Sequence, residues 1–164
     1  MKLCILGDTH FGARGDSLDF HKYFQKFYDE VFFPYLIEND IKDIFQMGDL
    51  FDRRKFINFN SLYLSRKYFF DKCETLGIKL HTLIGNHDVA YKNTLEVNSP
   101  ALLLNEYHNI EIYDEFQTVD FDGVSIDVVP WICDDNVDNI FTSRSEEHRL
   151  NSSHITISYA VFCL

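Results

Sequence analysis

Three apolar runs, each closed by a glycine and a cluster of ligand-type side chains, limit the folds open to this chain. They are Leu3-Cys4-Ile5-Leu6 before Gly7-Asp8-Thr9-His10, Ile44-Phe45-Gln46-Met47 before Gly48-Asp49-Leu50-Phe51-Asp52, and Leu80-His81-Thr82-Leu83-Ile84 before Gly85-Asn86-His87-Asp88. Short apolar runs bounded by glycine read as buried strands. The stretches between them are long enough for helices, which makes βα units of a parallel sheet. Each motif then sits at the C-terminal end of a strand, where open α/β sheets keep their ligand sites.

The residue types explain what such a site would do. Hard divalent cations prefer oxygen, and Mn, Fe or Zn also accept imidazole. Two cations close together neutralise an anionic phosphodiester and acidify a water. Asp8 and His10 alternate along the chain, so both can reach one ion from a strand end and its loop. Asp49 is suited to bridge two ions, Asn86 offers a neutral carbonyl oxygen, and His87 is placed to act as a general acid for the leaving oxygen. Asp52 and Asp88 are read either as groups that orient His10 or His87 or as loop caps.

Asp-x-His, Gly-Asp-x-x-Asp and Gly-Asn-His-Asp, in that order, resemble the calcineurin-like metallophosphoesterases. Asp8-Thr9-His10-Phe11-Gly12 with Gly48-Asp49-Leu50-Phe51-Asp52 is similar to the SbcD group of DNA-repair nucleases. Thr118-Val119-Asp120-Phe121-Asp122-Gly123 and Val129-Pro130-Trp131-Ile132-Cys133 resemble the T-even-phage branch of that group. The resemblance covers about residues 1–140. It implies a two-sheet α/β (α+β) sandwich flanked by helices. It also implies that Asp8, His10 and Asp49 hold a first metal, that Asp49 and Asn86 hold a second, and that His87 is the acid. The cofactors would be two divalent ions, manganese foremost, with Mg2+, Fe2+ and Zn2+ as alternatives. The partners would be DNA, an SbcC-like ATPase and a second copy of the chain, in the cytosol of a bacterium or a phage-infected host.

One departure stands against this. The family also uses later histidines in Gly-His-x-x and Gly-His-x-His motifs, and no Gly-His pair occurs here; His108, His148 and His154 lie outside that pattern. From Arg144 the chain does not continue the family pattern, and Ile155 to Leu164 reads as a translated sequencing adapter. Residues 1–143 are therefore expected to be the N-terminal part of a metallophosphoesterase domain, and 144–164 a non-native tail; the alternative is a divergent natural tail.

At 164 residues the chain makes one domain, and its 16% aromatic content suits a packed core. No apolar run is long enough to span a bilayer and no secretory leader is evident, so no membrane role is expected. Cys4, Cys73, Cys133 and Cys163 are scattered, which reads as reduced thiols of a cytosolic protein. Arg144 and Arg149 offset Glu146 and Glu147, so residues 1–143 carry the whole net charge of -11. Phosphate contacts need Lys and Arg, so DNA affinity is expected to be local, metal-assisted or partner-supplied. Arg53-Arg54-Lys55, directly after the second motif, is the local candidate for phosphate contact, against the reading of a solvated loop.

Helical periodicity predicts helices over about 19–39, with Phe20, Phe24, Phe27, Tyr28, Val31, Tyr35 and Leu36 as the buried stripe and Pro34 as a kink, and over about 57–76, with Phe59, Leu62, Tyr63, Phe70 and Cys73 inward and Gly77 as the stop. A shorter helix is expected near 99–106. Asp122-Gly123 between Gln117–Phe121 and Val124–Val129 predicts a hairpin on a tight primed turn. His21 and His108 are expected at the surface and His81 in the core. Against a DNA nuclease stand two other readings: a phosphoesterase for cyclic nucleotides or phosphoproteins, and an inactive fragment or binding scaffold.

Overall fold

The computed structural model describes residues 2–147 and 155–158, the last few of these (143–147 and 155–158) as backbone only. Strands β1 (Leu3–Leu6), β2 (Asp43–Gln46), β3 (Lys79–Leu83) and β4 (Ile110–Tyr113) form an all-parallel sheet in that order. The register aligns Cys4, Ile44, Leu80 and Ile110 in one row and Ile5, Phe45, His81 and Glu111 in the next. Side chains alternate between faces along a strand, so these rows serve different cores. Ile44 and Leu80 pack with the helices, among Tyr28, Leu36, Phe69 and Phe70. Phe45 packs on the other face against Tyr113, Phe121, Ile126 and Val128.

That second face is covered by β5 (Gln117–Phe121), β6 (Val124–Val129) and β7 (Ile155–Ser158). β5 and β6 form the predicted hairpin, with positive φ at both Asp122 and Gly123, as a primed turn requires. β7 pairs with β6 in parallel. Helix, parallel sheet and second sheet thus stack as the two-sheet sandwich flanked by helices. His81 lies in the core as expected, stacked on Phe45, with Nδ1 2.7 Å from the Tyr113 hydroxyl. Of residues 144–164, those at 148–154 and 159–164 lie outside the described residues, so the expectations for His148, His154 and most of the tail do too.

The helical layer corrects the predicted stripes. The first helix is α2 (Leu18–Phe27), a π turn (Tyr28–Phe32) and α3 (Phe33–Glu38). Pro34 cannot donate to the preceding turn, and the wide turn just before it, closed by the Phe33 N–H on the Tyr28 carbonyl, absorbs the break. The second is α4 (Phe59–Ser65), another π turn (Arg66–Phe70) and α5 (Asp71–Thr75). A π turn adds a residue and rotates the face that follows, so Tyr68, Phe69 and Phe70 are buried in succession. Of the predicted inward residues, Phe20, Phe27, Val31, Tyr35 and Tyr63 are exposed, and Phe59 is 88% exposed. Gly77, at positive φ, ends α5 as predicted: its N–H reaches the Glu74 carbonyl and that of Ile78 the Cys73 carbonyl. The remaining helices are α6 (Ser99–Leu103) and α7 (Val137–Glu147). A further short segment, α1 (Ala13–Asp16), has left-handed φ/ψ at Arg14 and Gly15.

Candidate metal centre

The parallel register delivers the motif loops to one edge of the sheet, and backbone hydrogen bonds weld them there. The first two loops pair as His10 N–H to the Asp49 carbonyl (3.0 Å), Phe11 N–H to the Leu50 carbonyl (2.7 Å) and Asp52 N–H to the Phe11 carbonyl (3.1 Å). The second and third loops meet backbone to backbone. A Cβ at Gly48, itself at φ +94°, would lie 2.7 Å from the Gly85 nitrogen, and one at Gly85 would overlap the Asp49 nitrogen and Oδ1. Only glycine fits at these positions, which is the physical reason for Gly-Asp and Gly-Asn at the strand ends.

Asp88 is the clamp between these loops. It is fully buried and accepts from the N–H groups of Asp49 (2.7 Å), Leu50 (2.9 Å) and Gly85 (2.9 Å). Its carboxylate therefore holds the backbone that carries Asp49. Burial pushes the Asp88 carboxyl up to about 7, against the opposing pull of those three donors, which favour the ionised form.

Asp8, His10 and Asp49 converge, with one ligand atom from each inside a mutual distance of 4.8 Å. His10 Nε2 lies 3.8 Å from an Asp8 oxygen and 3.9 Å from an Asp49 oxygen. These gaps are too long for hydrogen bonds and match two donors on either side of one cation at ordinary ligand distances. The other ring nitrogen, Nδ1, is buried without a hydrogen-bond partner among the described residues and sits 3.9 Å from an Asp52 oxygen. Burial and the neighbouring Asp49 charge both raise the Asp8 carboxyl above the usual range, while His10 and His87 act against them. Like charges gathered this way carry a cost that a bound cation would remove. The donor set thus fits a hard or borderline divalent ion. Asp49 is nearly buried, whereas the Asp8 and His10 side chains are 24% and 31% exposed, so the centre opens on the side of those two residues.

His87 stands beside this set, its ring centroid 4.9 Å from that of His10 and nearly perpendicular to it. Its backbone N–H donates to Asp49 Oδ1 (2.7 Å), and Nδ1 is 2.7 Å from the Asp52 carbonyl. A carbonyl only accepts, so Nδ1 carries a proton, and Nε2 is left to hold or release a second. Asp52 therefore orients His87 through its backbone and faces His10 with its side chain. Asn86 occupies the intervening turn, half buried.

The basic cluster divides. Arg53 pairs with Asp16 (3.2 Å) and lies over the Phe56 ring at 5.1 Å. It lines a narrow cleft together with Asp52, Phe11 and Gly12. Arg54 and Lys55 line a separate groove of about 270 Å³ with Phe56, Phe59 and Leu102, and Lys55 lies over Tyr91. His21 corrects the expectation of a surface residue: it is 4% exposed and bonded at both ring nitrogens, to Tyr68 and Ser61. A histidine satisfied at both nitrogens buries like an apolar residue, and no helical periodicity distinguishes it from a solvated one. Asp16, Ser61 and the packing glycines were likewise missed, because their partners are distant in sequence.

A family model described as calcineurin-like phosphoesterase matches residues 1–158. The chain is also 36% identical, over all 164 residues, to exonuclease subunit 1 of Enterobacteria phage T4, and spans 44% of that relative's length.

Proposed function

This chain belongs to the calcineurin-like phosphoesterase family, and we propose that it acts there as the catalytic part of a DNA nuclease in recombination and double-strand-break repair. The observation that carries the proposal is the convergence of Asp8, His10 and Asp49 with the His87 ring alongside. The name of the phage T4 relative favours a nucleic-acid substrate over other phosphoesters.

In this reading Asp8, His10 and Asp49 would hold one divalent ion, and Asp49 with Asn86 would contribute to a second. Such ions, manganese foremost, would supply the charge that neutralises a phosphodiester and lowers the pKa of a water. The chain's own groups do the rest. Asp88 fixes the loops that aim Asp49 and His87. The Asp52 carbonyl holds the His87 ring by Nδ1, so that Nε2 can give its proton to the departing sugar oxygen. Asp52 steadies His10, and Arg53, Arg54 and Lys55 supply local phosphate contacts that a net charge of -11 does not offer elsewhere. Because no Gly-His motif occurs in these residues, the donors that complete the second ion come from outside them. An SbcC-like ATPase and a second copy of the chain are the proposed partners, in the cytosol. A tail beginning at residue 144 remains part of the proposal, tested by sequencing the source locus through the Ser143 codon.

The test assays this chain and the product of the complete source locus on linear duplex DNA with Mn2+. Cleavage by the latter that requires Mn2+, and that falls by about 10²–10⁴ in His87→Asn with Mn2+ affinity retained, is the expected result. Absence of cleavage by either protein overturns the nuclease reading.

A further inference from the structure

A chain of polar groups runs from the helical layer to Arg53, the residue after Asp52, and the chemistry above uses only its last member. The Tyr68 hydroxyl lies 3.0 Å from His21 Nδ1, and His21 Nε2 lies 2.9 Å from Ser61 Oγ. Ser61 Oγ donates to Asp16 Oδ1 at 2.6 Å, and Asp16 Oδ2 pairs with Arg53 at 3.2 Å. Tyr68, His21 and Ser61 are almost fully buried.

The direction of every proton in this chain follows from its end. An ionised carboxylate only accepts, so Ser61 must donate to Asp16. Ser61 has one proton, so its oxygen accepts from His21, which fixes the proton on Nε2. Nδ1 then has a lone pair, and Tyr68 donates to it. Burial lowers the tendency of His21 to take a second proton, which keeps this tautomer in place. The segment that presents Asp16 is itself unusual: Arg14, Gly15 and Asp16 all have left-handed φ. Asp16 reaches Ser61 and Arg53 from that conformation, and a Cβ at Gly12 would collide with its Oδ1. The guanidinium offers five N–H donors; Asp16 fixes one edge, the Phe56 ring lies under it, and the cleft it lines is the one lined by Asp52.

We propose that Asp16, held by Ser61, His21 and Tyr68, is a positioning residue that presents Arg53, beside the Asp52 that touches both His10 and His87, as a contact for a substrate phosphate. The inference rests on the phosphoesterase reading above. Arg53 is the part that touches substrate, and the relay acts only through it.

The test measures binding of a fluorescently labelled single-stranded oligonucleotide by anisotropy, with inorganic phosphate as a second probe of the Mn2+-loaded chain. The variants are Arg53→Ala, Asp16→Asn, Ser61→Ala, Ser61→Thr and the Asp16→Asn/Arg53→Ala double variant. Loss of a charge-assisted contact predicts weakening of about tenfold or more in Arg53→Ala. Asp16→Asn and Ser61→Ala weaken binding several-fold, Ser61→Thr restores it, and Asp16→Asn adds nothing once Arg53 is gone. Mn2+ affinity stays at its wild-type value throughout. Equal effects of Asp16→Asn with and without Arg53 overturn the inference, since a merely structural role acts regardless of Arg53. Phosphate binding that depends on Arg53 and Asp16, without oligonucleotide binding, keeps the relay and removes the nucleic acid; wild-type binding of neither probe overturns both.

Discussion

Two glycines separate the kinds of strain in this site. Gly77 and Gly85 both look replaceable by alanine, yet a Cβ at Gly77 meets no described atom within 4 Å, whereas one at Gly85 overlaps Asp49. Gly77→Ala carries only the cost of a left-handed alanine, about 1–2 kcal/mol. Gly85→Ala adds overpacking on the order of 1–3 kcal/mol and displaces a proposed metal ligand, so it should lower both the denaturant midpoint and Mn2+ affinity. Gly77→Ala should lower the midpoint alone. Asp88→Ala removes the acceptor for buried N–H groups at Asp49, Leu50 and Gly85. At roughly 1–3 kcal/mol for each stranded donor, a loss of several kcal/mol in chemical denaturation is the expected outcome. At this scale the motif residues were legible, because Asp8, His10 and Asp49 stand a few positions past strand ends that periodicity finds. Asp88 as a clamp and Asp16 as an anchor were not, because their partners lie tens of residues away in the chain.

Elements were legible where one period governs them. β5 and β6 lie where alternation and Asp122-Gly123 put them, and three of the four parallel strands where apolar runs end in glycine. The long helices were found, but their faces were not. Each contains a π turn, across which a stripe counted at 3.6 residues loses phase, so one stripe cannot hold Phe59 and Tyr63 before the second turn together with Phe70 and Cys73 at and after its end. Aromatic residues all round both helices hid the shift: Phe59 and Tyr63 are outside while Phe69 and Phe70 are inside. Truncation to alanine should read this directly. Phe69→Ala, which leaves the side of the Tyr28 ring at 4.8 Å without a partner, should cost about 3–5 kcal/mol. Phe59→Ala should change stability by about 0.5 kcal/mol or less. Equal losses at the two positions in urea melts would contradict the described helix faces.

Across the whole molecule, two buried histidines weaken the fold in acid. Burial lowers both His21 and His81 below the usual value. The unfolded chain takes up their protons near pH 6.5, so each contributes stability that is fully present above that pH. It is lost as pH falls from there through the lowered folded values, with a limiting slope of about 1.4 kcal/mol per pH unit for each group. The raised Asp88 carboxyl acts in the opposite sense over the same range, so the histidine contribution is read by difference: the gap in urea midpoint between wild type and His21→Gln should shrink as pH falls from 7.5 to 5. The acidic balance of the chain is consistent with a centre that draws its cation by converging carboxylates and its phosphate by a few local arginines. That makes cation binding at Asp8, His10 and Asp49 the claim on which the rest depends. Calorimetric titration of this chain with Mn2+, beside Asp49→Ala, tests it most directly. Saturable binding by the wild type that disappears in Asp49→Ala is predicted; no binding by the wild type, or undiminished binding by the variant, would contradict the account.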